Sequence, residues 1–222
     1  MTNTMIRKCA GGAFIAAPLL LAGGMLTSPP QAGDAPADYV KSLGDDFGLT
    51  VLSANLFHYG WVLLALALPA VLTLPRGRQG RRFTAVAVVL AMFGTIQMSG
   101  MLLSDWFNGA AATTVPLPQA SRIFEIVSGE PSMAIWRLTA IGLSLAGLPL
   151  VMAGLARAGV LGWWAAPVVA LPVVAAPIVG GALGSLVGLV CFAPLILVGL
   201  RLIQRSTPAV AAAEQEAVAA PA

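Results

Sequence analysis

The only histidine in the chain, His58, lies in the stretch NLFHYGW (residues 55–61), with Asn55 three residues before it and Tyr59 directly after it. At positions i, i+3 and i+4 the amide, imidazole and phenol share one face of a helix. An imidazole titrates near neutral pH, so such a face could move a proton or hold a polar ligand. Three more polar residues fall at comparable points of other apolar runs. Gln97 and Asp105 come late in one run, and Arg137 lies about one turn into the next. Ionisable groups at such depths point by default to a site. Asn55, His58, Tyr59, Gln97, Asp105 and Arg137 are therefore the candidate ligand-binding residues of a small, outward-facing polar pocket. The competing expectation is that they hydrogen-bond between helices and fix packing, at about 0.6 kcal/mol per contact.

The residue types narrow the chemistry. One histidine rules out bis-histidine haem ligation, a histidine-rich zinc site and the HExxH arrangement within one chain. No Asp or Glu falls well inside an apolar run, which argues against proton-coupled transport through intramembrane carboxylates. There is no GxSxG elbow, P-loop or dinucleotide fingerprint in a suitable context. A hydrolase would have to pair His58 with Ser104 without a nucleophile motif. Cys9 and Cys191 form neither a CxxC nor a metal-ligand spacing. No catalytic residue, metal or cofactor is expected.

The elements that must position these residues are apolar runs of spanning length. Of 222 residues, 58% are hydrophobic and 9% charged, and the mean hydropathy is +0.88. Soluble domains carry about 25% charged residues, and crossing a bilayer takes about 20 apolar ones. Continuous runs rich in Ala, Leu and Gly exclude a β-barrel, whose segments alternate. The fold class is all-α, a polytopic transmembrane bundle of about six helices. The expected spans are residues 10–27, 53–74, 83–104, 131–156, 160–176 and 181–203, followed by a flexible tail over 206–222. If the N-terminal run is a cleaved signal, with Ala35-Pro36-Ala37 as its small-x-small site, five remain.

The loop PRGRQGRR concentrates Arg76, Arg78, Arg81 and Arg82 and is expected on the cytoplasmic side. Arg157, Arg201 and Arg205 then fall on the same side, and both termini are cytoplasmic if the first span is retained. The net charge of +3 follows from this orientation and is no footprint for nucleic acid. Trp106 and Trp136 map to the outer interface, Trp163 and Trp164 to the inner one. Between the third and fourth spans, Ala120, Ile123, Phe124 and Val127 repeat at i, i+3, i+4 and i+7. That pattern fits a short amphipathic helix on the membrane or capping the bundle.

Gly180, Gly184 and Gly188 form a tandem ridge of small residues for close helix packing, within this chain or against a second copy or partner membrane protein. Pro167, Pro172 and Pro177 punctuate the fifth run and would bend it.

The heavy use of Ala, Gly and Val, with arginine far outnumbering lysine, resembles uncharacterised small multi-pass membrane proteins of GC-rich, actinobacterial-type bacteria. The resemblance lies in composition and layout over the whole chain and implies no activity. The expected function is that of a non-enzymatic protein of the cytoplasmic membrane, acting through helix packing or a partner. A small-molecule carrier or exporter permease component, with the arginine loop facing an ATPase, is the alternative. An enzyme on a lipid substrate at the outer leaflet is the third reading.

Overall fold

The structure, a computed structural model, describes residues 3–75, 78–172, 179 and 181–206. Every regular element among them is helical. The first helix, α1 (Asn3–Thr27), starts well before the expected span and carries Pro18 inside it. Next come α2 (Pro36–Asp45), α3 (Phe47–Ala67) and a 3-10 turn, Leu68–Thr73, that opens at Pro69. Helix α4 (Arg81–Thr114) runs ten residues past the expected end at Ser104. Nothing between Asp105 and Thr114 breaks a helix, and it stops only where Val115 turns extended before Pro116. Helices α5 (Leu117–Gly129) and α6 (Pro131–Arg157) follow, each with proline in its first turn.

Four helical stretches are long and apolar enough to cross a membrane: Thr4–Thr27, Phe47–Thr73, Arg81–Thr114 and Pro131–Arg157. The bent pair α8 (Gly181–Cys191) and α9 (Ala193–Gln204), with a 43° break, is long and apolar enough for a fifth when taken as one span. Pro194, in the first turn of α9, has no N–H to continue the ladder, which accounts for the break. Of the expected span 160–176, the described part contains only α7 (Ala165–Ala170) as a complete helix. Residues 173–178, and Pro177 with them, lie outside the described residues. So do Arg76 and the tail from residue 207.

The helices pack in the order α9–α1–α3–α4–α6, and α7 touches both α6 and α9, so the row curls toward closure. Phe14, Leu21, Leu64, Leu68, Met152, Leu155 and Leu195 are fully buried along the interior. Leu66, Val89, Phe107 and Leu138 stand outward, each at least 65% exposed. Large apolar side chains on both sides of a helix are the mark of a lipid-embedded bundle. In lipid the outward leucines face a solvent as apolar as themselves, so close van der Waals packing and interhelical hydrogen bonds have to hold the bundle together.

One end gathers the arginines and is called the arginine end here. There Arg7 donates to the Arg205 carbonyl at 3.1 Å, and Arg205 in turn donates to the Leu74 carbonyl. These bonds join the start of α1, the end of α9 and the end of the 3-10 turn. Gly80 caps α4 with φ +75°, a left-handed conformation suited to glycine. A side chain there would also approach the Gly154 carbonyl to 3.0 Å. At the other end, α2 and α5 pack on each other and on α4, and are called the cap.

Of the expected glycine ridge, Gly184 and Gly188 are buried, on a helix that packs against α1. Gly180 lies outside the described residues. The ridge that brings two long helices closest is elsewhere, between α4 and α6.

Candidate functional site at the capped end

The cap begins with α2, a helix inside the polar stretch between the first two spans. Pro36 opens it, and Lys41 and Asp45 pair one turn apart on its exposed side. Its other side buries Val40 and Leu43. Asp46 then accepts the Leu49 N–H at 3.0 Å and caps α3, turning the chain into the bundle. Thr50 of α3 donates back to the Leu43 carbonyl at 2.8 Å, tying the two helices together.

Small residues let α2 lie close on α4. A methyl group on Gly44 would come within 2.6 Å of the Ala112 side chain, and one on Gly109 within 3.1 Å of the Leu43 carbonyl. This approach brings Tyr39 onto the end of α4, where its phenol donates to Asp105 Oδ1. Asn108, one turn further along α4, lies near the phenol, and the Arg137 charge acts on it from α6. The Tyr39 ring packs on Phe124 of α5 with centroids 5.0 Å apart. Tyr39, Asp105, Asn108, Phe124 and Arg137 thus bring four helices to one polar point.

Burial pushes the Tyr39 phenol well above its ordinary range, helped by the adjacent Asp105 charge and the hydrogen bond to it. Asn108 and Arg137 pull the other way without overcoming these effects. The phenol therefore remains a proton donor. A group whose folded pKa exceeds its unfolded value, near 10 for tyrosine, contributes stability that is fully present below the unfolded pKa and is lost as pH rises toward the folded one. The alkaline side of the melting-temperature profile should fall above about pH 10, and Tyr39→Phe should flatten that fall.

Of the six residues expected to share a pocket, Asp105 and Arg137 adjoin Tyr39, His58 and Tyr59 touch each other, and Asn55 and Gln97 make their hydrogen bonds elsewhere. His58 Nδ1 lies 3.4 Å from the Ser99 carbonyl of α4, a bond that requires the proton on Nδ1. Its ring meets Tyr59 edge-on at 5.1 Å, and Tyr59 is 57% exposed. Asn55 turns back to its own helix, donating to the Val51 carbonyl at 2.9 Å. Gln97 donates to Thr139 Oγ1 at 2.8 Å and ties α4 to α6. Asp105 receives Tyr39, and Arg137 is exposed beside them. No hydrogen bond or ion pair joins any two of the six among the described residues. Ser104, the other hydroxyl considered above, donates to the Met101 carbonyl of its own helix at 2.6 Å.

Similar cross-links recur near this end. Ser28 and Ser53 share a hydrogen bond of 2.9 Å, and Ser53 also reaches the Gly24 carbonyl at 2.9 Å, joining α1 to α3. Removing one such link should cost little. Gln97→Met is expected to lower stability by about 0.6 kcal/mol, measured by unfolding in detergent micelles.

Sequence reasoning missed Tyr39, Asn108 and Phe124 as members of this cluster. Tyr39 had a legible signal: Tyr39, Val40, Leu43 and Phe47 follow helical spacing within an otherwise acidic stretch. Phe124 was placed on the apolar face of α5, and Ala120 and Phe124 do turn inward. Ile123 and Val127 on the same helix remain 49% and 46% exposed. Asn108 had none, because it lies past the expected end of its span.

Compared with family models, curated proteins and solved structures, the chain matches none.

Proposed function

We propose that the chain is a non-enzymatic integral membrane protein of the cytoplasmic membrane, acting through contacts of its helices with one another and with a partner. In this reading α1 is a retained span. The arginine end faces the cytoplasm, in keeping with the bias of positive loops, and the cap of α2 and α5 faces outside. The seven acidic residues from Asp34 to Glu130 all belong to the capped half, and Arg7, Lys8, Arg78, Arg81, Arg82, Arg157, Arg201 and Arg205 to the other. Lys41, Arg122 and Arg137 are the basic residues of the capped half, and the excess of positive charge at the arginine end supports the orientation.

One observation carries the non-enzymatic reading: the polar side chains pair off, each holding a different contact. His58 joins α3 to α4, Gln97 joins α4 to α6, and Asp105 joins α4 to α2. Nucleophile, base and orienting group would have to meet at one point to do chemistry, and these pairs are distributed.

The test is complementation in cells whose own copy is deleted, with the amount of folded protein in the membrane measured alongside. His58→Gln, Asp105→Asn and Arg137→Gln should rescue in proportion to the protein that accumulates. A variant that accumulates normally and fails to rescue would overturn the reading and assign a ligand or a reaction to that residue.

A further inference from the structure

Where α1, α3, α4, α6 and α7 face one another, the bundle forms a half-open cavity of about 290 Å³. Met25, Trp61, Met98, Met101 and Phe192 contribute to its wall, and Ser144 is the one residue with a polar side chain apart from the Trp61 indole. Met98 and Met101 lie near the middle of the Arg81–Thr114 span and Trp61 near the middle of Phe47–Thr73. The cavity therefore lies among the apolar residues of these spans, about one turn of α4 below Asp105.

Its chemistry decides what can fill it. A buried water needs two to four polar partners. Here the Ser144 hydroxyl already donates to the Ile141 carbonyl at 3.1 Å. The Trp61 N–H is itself buried with no acceptor in the protein. An ion or a polar metabolite would lose its hydration with only the Trp61 N–H free to replace it. An apolar cavity of about 150 Å³ holds a benzene molecule, and this one has roughly twice that volume. Left empty, its lining would forfeit dispersion contacts over the whole wall. Methionine suits the lining, because its flexible, polarizable side chain adapts to a mobile apolar guest.

We propose that this cavity is a binding site for one hydrocarbon chain, drawn from the acyl chains of the surrounding lipid. The bilayer supplies that ligand at the right depth and at solvent concentration. The chain completes the packing that five helices leave open. This site is independent of the function proposed above: it requires neither a partner nor the polar pairs.

Trp61 is the reporter, since it lines the cavity and is only 9% exposed. The full chain, with Trp106, Trp136, Trp163 and Trp164 replaced by Phe, is reconstituted in phosphatidylcholine vesicles whose acyl chains carry bromine at mid-chain. Bromine quenches tryptophan on contact. The expected result is strong quenching of Trp61, comparable to that of Leu66→Trp in a Trp61→Phe background, where the residue faces lipid. Ser144→Met, which takes up part of the cavity, should weaken quenching of Trp61 and leave quenching at position 66 unchanged. A phosphatidylcholine bearing a mid-chain diazirine should label Met98 and Met101 in the otherwise unaltered protein, which decides the matter if Ser144→Met does not fold. Unquenched Trp61 would overturn the proposal. So would quenching that Ser144→Met leaves unchanged, or labelling confined to outward residues such as Leu66 and Leu138.

Discussion

Gly94→Ala, a change of one methyl group, is expected to destabilise the bundle by about 1–3 kcal/mol, the usual cost of overpacking. Along α4, Thr84, Ala87, Ala91 and Gly94 are buried at alternating steps of three and four. Along α6, Ala140, Ser144, Gly147, Val151 and Gly154 do the same. The two stripes meet. A methyl group on Gly94 would overlap the backbone of Leu143 and Ser144, and one on Gly147 would lie 2.6 Å from Ala91 Cα. The obstacle in both cases includes main chain, which no rotamer change can move aside, so the helices would have to separate. In lipid that separation removes much of what holds them, because no hydrophobic drive returns them.

Gly142 supplies the control. It lies on the same helix, and a methyl group there meets nothing within 4 Å. Gly142→Ala should be neutral or slightly stabilising, since alanine is the better helix former by up to about 1 kcal/mol. Unfolding midpoints of the two variants in the same micelles check the prediction. Equal midpoints would mean that the α4–α6 contact is not the tight one.

Tyr39→Phe is expected to release the cap. It removes the donor to Asp105 and leaves a half-buried acceptor without that partner, at a cost of about 1–3 kcal/mol. Asp105→Asn should cost less, because an amide oxygen still accepts the phenol proton. Tyr39→Phe combined with Asp105→Leu should recover part of the loss, since removing both partners is milder than orphaning one. Tryptic cleavage after Lys41 reads the effect directly. That residue sits on the exposed side of α2, and cutting there requires α2 to open. Cleavage should accelerate in Tyr39→Phe and slow again in the double variant. An unchanged rate would show that Val40 and Leu43 hold α2 down without the phenol.

Local pattern carried much of the architecture. The apolar runs ending near Thr27, Leu74 and Arg157 were readable because length and hydropathy are properties of neighbouring residues. The short helix around Phe124 was readable from its period, and Pro131 marked the start of α6. Helix α2 was harder to see: its apolar side is narrow and is embedded among Asp34, Asp38, Asp45 and Asp46. The continuation of α4 to Thr114 was hidden for a related reason. A charged residue, Asp105, ends a hydropathy run without ending a helix, and here Tyr39 satisfies the carboxylate that the run could not accommodate.

The candidate site shows where neighbourhood in sequence stops informing. His58, Asp105 and Arg137 were expected at one depth, and depth follows from counting residues along each helix. Which of them face each other depends on how far each helix is rotated about its axis. That rotation is settled by the close approach of Gly94 to α6, of Gly109 to α2 and of Gly60 to α1. Hydropathy is blind to it, because in these spans apolar residues occur all round. The amino-acid sequence by itself therefore determined that this chain forms membrane-spanning helices and which residues lie near their ends. Only the tertiary structure decided that Asp105 pairs with Tyr39 and His58 with Ser99, because partners are selected by interhelical packing, a sum over contacts distant in the chain.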